Sequence, residues 1–186
     1  MAQDESGERE ALRSGLKRVA VALKESGVPF ALAGGYAAWV RGAPEPEHDV
    51  DFLICESDAD TTRKHLQARG IDTIDAAEDW LFKAQVDGIV VDVLLRGQGL
   101  DPEGMLDRAE TVSVLSVRMP VLTATDVTAE KLLALDEHYC DLSAVLPTLR
   151  ALREQLDWTD LRSRVAGHPF AEAVLFLAGR LGLGPS

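Results

Sequence analysis

Apolar residues at Leu12, Leu16, Val19 and Leu23 recur three and four positions apart, the spacing of one helix face, and predict a helix over Ala11 to Lys24. Gly27 and Pro29 end it. Phe30 to Ala33 is a short unbroken apolar run and reads as a strand. Gly34-Gly35 opens a short helix, Tyr36 to Arg41, and the prolines between Gly42 and Glu47 mark a loop. His48 to Ile54 reads as the next strand. Ser57, with Asp60 three residues on, predicts the N-cap of a helix that reaches Arg69 and closes at Gly70. Leu81 to Val86 and Ile89 to Leu95 flank Asp87-Gly88, a strong hairpin signal. A further strand is expected near Val112 to Val117, and another near Val121.

Beyond Asp126 the periodicity turns helical throughout. Thr128 to His138, Asp141 to Gln155, Trp158 to Val165 and Phe170 to Leu181 each read as a helix, with Pro147 a bend or boundary in the second and Asp157 a cap of the third. The expected plan is a mixed α/β (α+β) unit over residues 1–120 followed by a helical region over 121–186 packed on it. No long linker separates the two. Phe170, Val174, Leu175, Leu177 and Leu181 form a stripe too apolar for a free surface and are expected in the core rather than against a second chain.

Composition narrows the function. Apolar residues make up 46% of 186 positions, enough for a real core. No apolar run is long enough to span a bilayer, and Met1 to Glu10 lacks the apolar centre of a signal peptide, so no membrane is expected and the cytoplasm is the expected compartment. Cys55 and Cys140 have neither metal-ligand nor disulfide spacing and read as buried or half-buried residues. The formal net charge is −12, which excludes general phosphate-backbone binding and is compatible with a basic protein partner.

The candidate chemistry is acidic. On a strand, Asp49 and Asp51 point to the same side, about 7 Å apart, and two such carboxylates repel unless a cation lies between them. A solvated strand end is the plainer reading. Gly34-Gly35, between a strand and a helix, offers backbone amides of the kind that bind phosphates; an ordinary tight turn would use the same residues. Asp92 stands within Ile89-Val90-Val91-Asp92-Val93-Leu94-Leu95, an otherwise apolar strand. A two-residue turn at Asp87-Gly88 sets Lys83 opposite it, so Asp92 is either a cross-strand partner of Lys83 or a third carboxylate beside Asp49 and Asp51. Three carboxylates holding two Mg²⁺ are what in-line attack on a nucleotide phosphate requires.

Ala33-Gly34-Gly35, thirteen residues, then Asp49-Val50-Asp51, with Asp92 on a later strand, resembles the DNA polymerase β-type nucleotidyltransferase superfamily. "AEKLLALDEHYCDLSAVL" resembles the segment after the core in small bacterial members, the abortive-infection toxin type. The resemblance covers about residues 30 to 145. It implies a mixed-sheet nucleotidyltransferase core flanked by helices, with a C-terminal helical bundle. It also implies a Mg²⁺-dependent enzyme that moves an NMP from an NTP to an acceptor hydroxyl. By the same match Asp49, Asp51 and Asp92 hold two Mg²⁺, Gly34 and Gly35 admit the triphosphate, Lys131 contacts its phosphates and acts in catalysis, and Asp141 lies near the nucleotide. Bland alternatives are a solvated lysine for Lys131 and a helix cap for Asp141. A place in a toxin–antitoxin pair, with a protein partner, is a further implication. The acceptor stays open among tRNA or another RNA, a protein and a small molecule such as an aminoglycoside; the acidic balance disfavours long nucleic acid.

Glu45, Pro46, Glu47 and His48 stand where relatives carry Arg and Ser or Thr, and Ala144 replaces a common second Asp. An acid there opposes triphosphate binding. The combination admits an active enzyme with an unusual substrate, or a non-catalytic member that binds nucleotide, metal or a partner. Arg41 is expected either to reach phosphate or to lie at a solvated helix end, and Tyr36 either to stack on the base or to fill the core. His48 reads as an exposed strand start, with support of the metal site as the alternative.

Overall fold

The computed structural model describes residues 2–184, with the side chains of 7–184; Met1 and the side chains of the acidic N-terminal stretch before Gly7 lie outside the described residues. Helix α1 runs Ala2–Ser26, longer than its apolar stripe, and is followed by β1 Phe30–Ala33 and α2 Gly34–Val40. β2, Asp51–Ile54, is shorter than the expected strand, which leaves Asp49 in the loop ahead of it. One 3₁₀ turn, Glu56–Asp58, leads into α3 Ala59–Ala68. Ser57 therefore lies inside that turn and is not the cap: Asp58 holds the position, without a side-chain bond. β3 Asp72–Asp75, β4 Leu81–Val86 and β5 Ile89–Leu94 come next, then α4 Pro102–Arg108, β6 Glu110–Val114 and β7 Val117–Val121. The rest is helical: α5 Ala124–Leu133, α6 Leu142–Leu152, α7 Trp158–Arg164 and α8 Pro169–Arg180.

The strands form one mixed sheet in the order β3-β4-β5-β2-β1-β7-β6. β2–β5 and β1–β7 pair parallel, and the other neighbours antiparallel. The β4–β5 hairpin closes through Asp87-Gly88, both at positive φ (52° and 79°), with Val86 opposite Ile89 and Lys83 opposite Asp92. The β6–β7 hairpin closes through Leu115 and Ser116, also at positive φ. β3 and β6, the edge strands, are the most polar, which blunts further pairing.

α1 covers the sheet face that carries Ile89 and Val91; Gly15 allows the approach, since a Cβ there would stand 2.8 Å from Ile89 Cγ2. On the opposite face, Leu53 and Leu94 meet Met105 of α4 and Val127 of α5 around a cavity. In α8 the buried face is Ala171, Val174 and Ala178, whereas Leu181 of the expected stripe turns outward, as does Phe176 outside it. That face packs on α5 and α6. Cys55 is half-buried, but Cys140 is exposed in the α5–α6 loop, contrary to expectation. No helix among the described residues is long and apolar enough to cross a membrane.

Candidate active site

Register fixes the arrangement. Lys83, Asp92, Asp51 and Ala33 are successive partners across β4, β5, β2 and β1. Partners in neighbouring strands share a face, so Asp92 and Asp51 stand side by side. Ala33 ends β1, and the chain turns at Gly34 (φ +54°) directly against Asp51. A Cβ on Gly34 would overlap the Asp51 carboxylate, and the Gly35 amide donates to that carboxylate. The glycines thus press backbone amides onto a buried acid, an approach that a side chain would forbid.

The cavity above this row has a volume of about 390 Å³. Its walls include Gly34, Gly35, Asp49, Asp51 and Asp92, with Trp80, Gln98, Glu130 and Lys131 facing them. The carboxyl of Asp51 is pushed up to about 7, first by burial and then by the negative charges of Asp49 and Asp92; the Gly35 amide and Lys131 oppose the shift. Asp49 is exposed at the mouth. Asp92 Oδ1 accepts from Lys83 Nζ at 2.9 Å. The cross-strand pair expected for Asp92 is present, and the carboxylate also lines the cavity with Asp49 and Asp51.

Among the described residues, no three His, Cys, Asp or Glu side chains converge closely enough, as they stand, to hold a metal ion. The donor chemistry nonetheless fits a hard divalent cation: three carboxylates face one cavity, and the pKa of one, Asp51, is raised first by burial and then by its neighbours' charge.

Lys131 borders a second cavity of about 440 Å³ formed with Ala134, Leu135, His138, Tyr139 and Asp141. Asp141 caps α6, accepting from the Ser143 amide at 2.8 Å, and Ser143 holds its pKa below the ordinary value. The cap and the place beside Lys131 are both realised.

Two expected nucleotide contacts lie elsewhere. Tyr36 is fully buried, edge-on to Trp39 with centroids 5.7 Å apart, so its ring is closed to a base. Burial raises its pKa to about 12. Arg41 is committed to the end of β7: it donates to Leu122 O at 2.6 Å and Val121 O at 3.2 Å and pairs with Glu110 at 2.9 Å. Those bonds use the guanidinium that phosphate would need. Glu45 also turns from the cavity, held by a two-pronged bond from Arg13 at 2.8 and 2.7 Å. Its charge fastens the loop to α1 and is spent there. His48 is an exposed residue beside Glu47.

Glu130 was not singled out by the sequence. Its carboxylate accepts from the Gln98 amide at 3.0 and 3.2 Å, and burial pushes it up to about 7, with Asp126 adding to the rise. An acid directly before Lys131, one helix position round from it, was the available signal. Asp126 itself is fully buried between Arg108 (2.7 Å) and Arg164 (2.5 Å), and accepts from Thr123 at 2.6 Å. This network joins α4, α5 and α7.

No family model and no curated protein matches the chain in sequence. Solved structures do resemble it. The solution structure of the antibiotic-resistance factor ANT(2'')-Ia gives a TM-score of 0.65 at 11% identity, over 92% of this chain and 98% of that one. The crystal structure of ANT(2'')-Ia in complex with adenylyl-2''-tobramycin gives 0.62 at 12%, over 88% and 99%. An antigenic nucleotidyltransferase-like protein from Paracoccidioides brasiliensis gives 0.56 at 14%, over 92% and 94%. At such identities the likeness is one of architecture, and it extends over nearly the whole of each chain. The protein has the fold of these nucleotidyltransferases, a mixed-sheet core carrying a C-terminal helical region.

Proposed function

We propose that the protein is a nucleotidyltransferase that moves an NMP from an NTP to an acceptor hydroxyl. The observation that carries this reading is the pairing of Asp51 with Asp92 at the floor of a cavity whose rim is the Gly34-Gly35 turn. The acceptor oxygen attacks the α-phosphorus, the bond to the β-phosphate oxygen breaks, and pyrophosphate leaves with that electron pair. Asp49, Asp51 and Asp92 would hold Mg²⁺, which would supply charge stabilisation for the transfer. Lys83 occupies Oδ1 of Asp92, leaving Oδ2 to take the proton from the acceptor hydroxyl. Backbone amides at Gly34 and Gly35 approach the triphosphate, Lys131 offsets charge on the departing phosphates, and Asp141 lies beside the nucleotide. The cytoplasm, where NTPs and Mg²⁺ are plentiful, suits this chemistry. The abortive-infection resemblance carries only Lys131 and Asp141 into the site. A toxin-type role and a protein partner would be additions to this chemistry rather than consequences of it.

The Glu45 to His48 segment favoured a non-catalytic reading; the bond from Arg13 turns the Glu45 charge away from the cavity, which weakens that argument at this one position. What still favours that reading is Lys83, which stands where a cation would engage Asp92. Label transfer from α-³²P NTPs with Mg²⁺ and cell extract, with Asp49→Asn as control, separates the two. A labelled product absent from the variant supports transfer. No label, together with a thermal shift by ATP and Mg²⁺, supports the binding-only member.

A further inference from the structure

Glu130 is half-buried in the wall of the same cavity as the three aspartates, yet it has no cation of its own. Among the described residues its hydrogen-bond partner is a single backbone amide, that of Gln98. A carboxylate largely withdrawn from water and so sparsely partnered is costly, and an ammonium group is the natural complement for its remaining lone pairs. Four carboxylates, Asp49, Asp51, Asp92 and Glu130, line the cavity against one ammonium, Lys131, while Lys83 is tied to Asp92 from outside. Divalent ions and the triphosphate bring charges that largely offset each other, so the cavity itself stays acidic. The chain as a whole carries −12.

The position of Glu130 divides the site. Its neighbour Lys131 opens toward the second cavity with Tyr139 and Asp141, while Glu130 turns the other way, to Gln98 in the β5–α4 loop. Half-buried Trp80 lines the same cavity as Gln98 and Glu130 and offers an apolar face for a ring. With the nucleotide on the Lys131 side, the Trp80–Gln98–Glu130 side is left for the acceptor. The combined space of about 390 and 440 Å³ suits two small molecules rather than a folded polymer.

We propose that Glu130 determines acceptor specificity: it binds an ammonium group of a hydroxylated, aminated small molecule, an amino sugar in chemical class, and holds its hydroxyl toward Asp92. This rests on the transferase reading for the identity of the other substrate, but binding of the acceptor is measurable without turnover.

Calorimetry with tobramycin, and with glucosamine against its uncharged counterpart N-acetylglucosamine, tests the idea on the full chain. The aminated ligands bind and the uncharged one does not; Glu130→Gln weakens tobramycin about tenfold or more, as loss of a charged hydrogen bond requires. Glu130→Asp, which keeps the charge, restores part of the affinity, and melting curves of both variants exclude unfolding. In label transfer, the Glu130→Gln loss falls on the KM of the acceptor. Aminated ligands that bind no better than the uncharged one, or affinity unchanged in Glu130→Gln, would overturn the proposal, as would label found only on RNA or protein. Binding that follows Glu130 without any transfer would leave it standing and defeat the transferase reading instead.

Discussion

Asp51 of β2 and Asp92 of β5 are register partners in a parallel ladder, so the sheet sets two carboxylates side by side with the Lys83 ammonium beyond them. Only one of the two has a cation bonded to it: Lys83 bonds Asp92, while Asp51 accepts from the Gly35 amide and is pushed up to about 7. Such an arrangement stabilises nothing in the empty protein. Sites that hold like charges together in this way are kept for a ligand or a reaction.

Asp51→Asn is accordingly expected to raise the melting temperature while abolishing transfer. The raised pKa means that the folded state keeps the Asp51 proton up to about pH 7, whereas the unfolded chain releases it near the ordinary carboxylate value. Stability from this residue is complete in acid and is lost as pH rises through about 7. Melts without divalent cations should therefore coincide for variant and parent in acid and separate in alkali, with the variant higher. A lower melting temperature for the variant in alkali would contradict the burial of an unrelieved charge.

Gly34→Ala should fail on two counts, a left-handed backbone and a methyl driven into the Asp51 carboxylate. The expected cost is about 1–3 kcal/mol of stability, with transfer lost. Gly35→Ala meets the Pro46 ring, at 2.9 Å from Cβ and 3.2 Å from Cγ, in a loop that can shift, so its effect should be the smaller. Urea denaturation of the pair checks the order, and equal losses would refute the specific role of Gly34.

How much of this was legible follows from the kind of signal each element leaves. The Asp87-Gly88 turn announces itself in composition and fixed the Lys83–Asp92 pairing in advance. Leu115-Ser116 makes a turn of the same positive-φ sort from residues that seldom adopt it, so the expected strand at Val112 to Val117 ran through the turn between β6 and β7. β3 is four residues long and polar because it is an edge, which hides it from an apolar pattern. Asp49, Asp51, Asp92, Gly34, Gly35 and Lys131, the residues that the family resemblance groups, line one cavity. Tyr36 and Arg41 are drawn away by packing with Trp39 and β7, and Glu45 by Arg13. Those pulls come from elements distant in sequence. Glu130 was missed for the converse reason: an acid in a helix looks solvated until the β5–α4 loop closes over it.

The buried network around Asp126 should govern how firmly the helical region is held. Asp126→Ala removes the partner that Arg108 and Arg164 share; Arg164 keeps Asp160 and Arg108 is part-exposed, so the expected cost is that of lost charged hydrogen bonds, about 1.5–3 kcal/mol. Equilibrium urea unfolding measures it. A loss below about 1 kcal/mol, the range of an exposed pair, would show that the arginines are satisfied without Asp126.

Arg13→Ala should loosen the loop that delivers Asp49. Glu45 is the anchor of that loop on α1, and Arg13 holds the Glu45 carboxyl below its ordinary pKa. Faster amide exchange across residues 42–49, with β2 and β5 unchanged, is the expected result. Uniform protection in parent and variant would place the loop's rigidity elsewhere.

Glu130 gives the second pH signature, and its origin lies outside the row of aspartates. Its pKa rises from 4.5 to about 7 because burial disfavours the charged form more than the Gln98 amide favours it. Between those values the native state holds a proton that the unfolded chain has released, so stability falls as pH rises through the window and is level above it. Glu130→Gln keeps an acceptor for the Gln98 amide and removes the charge. The variant should match the parent in acid and exceed it above neutrality by on the order of 1–3 kcal/mol, the scale set by the shift. Urea denaturation at several pH values reads the difference directly, and the other carboxylates cancel in the comparison. Parallel curves for the two proteins across the whole range would mean that Glu130 is hydrated in solution, and the cavity would then lack the buried charge that calls for a cationic acceptor.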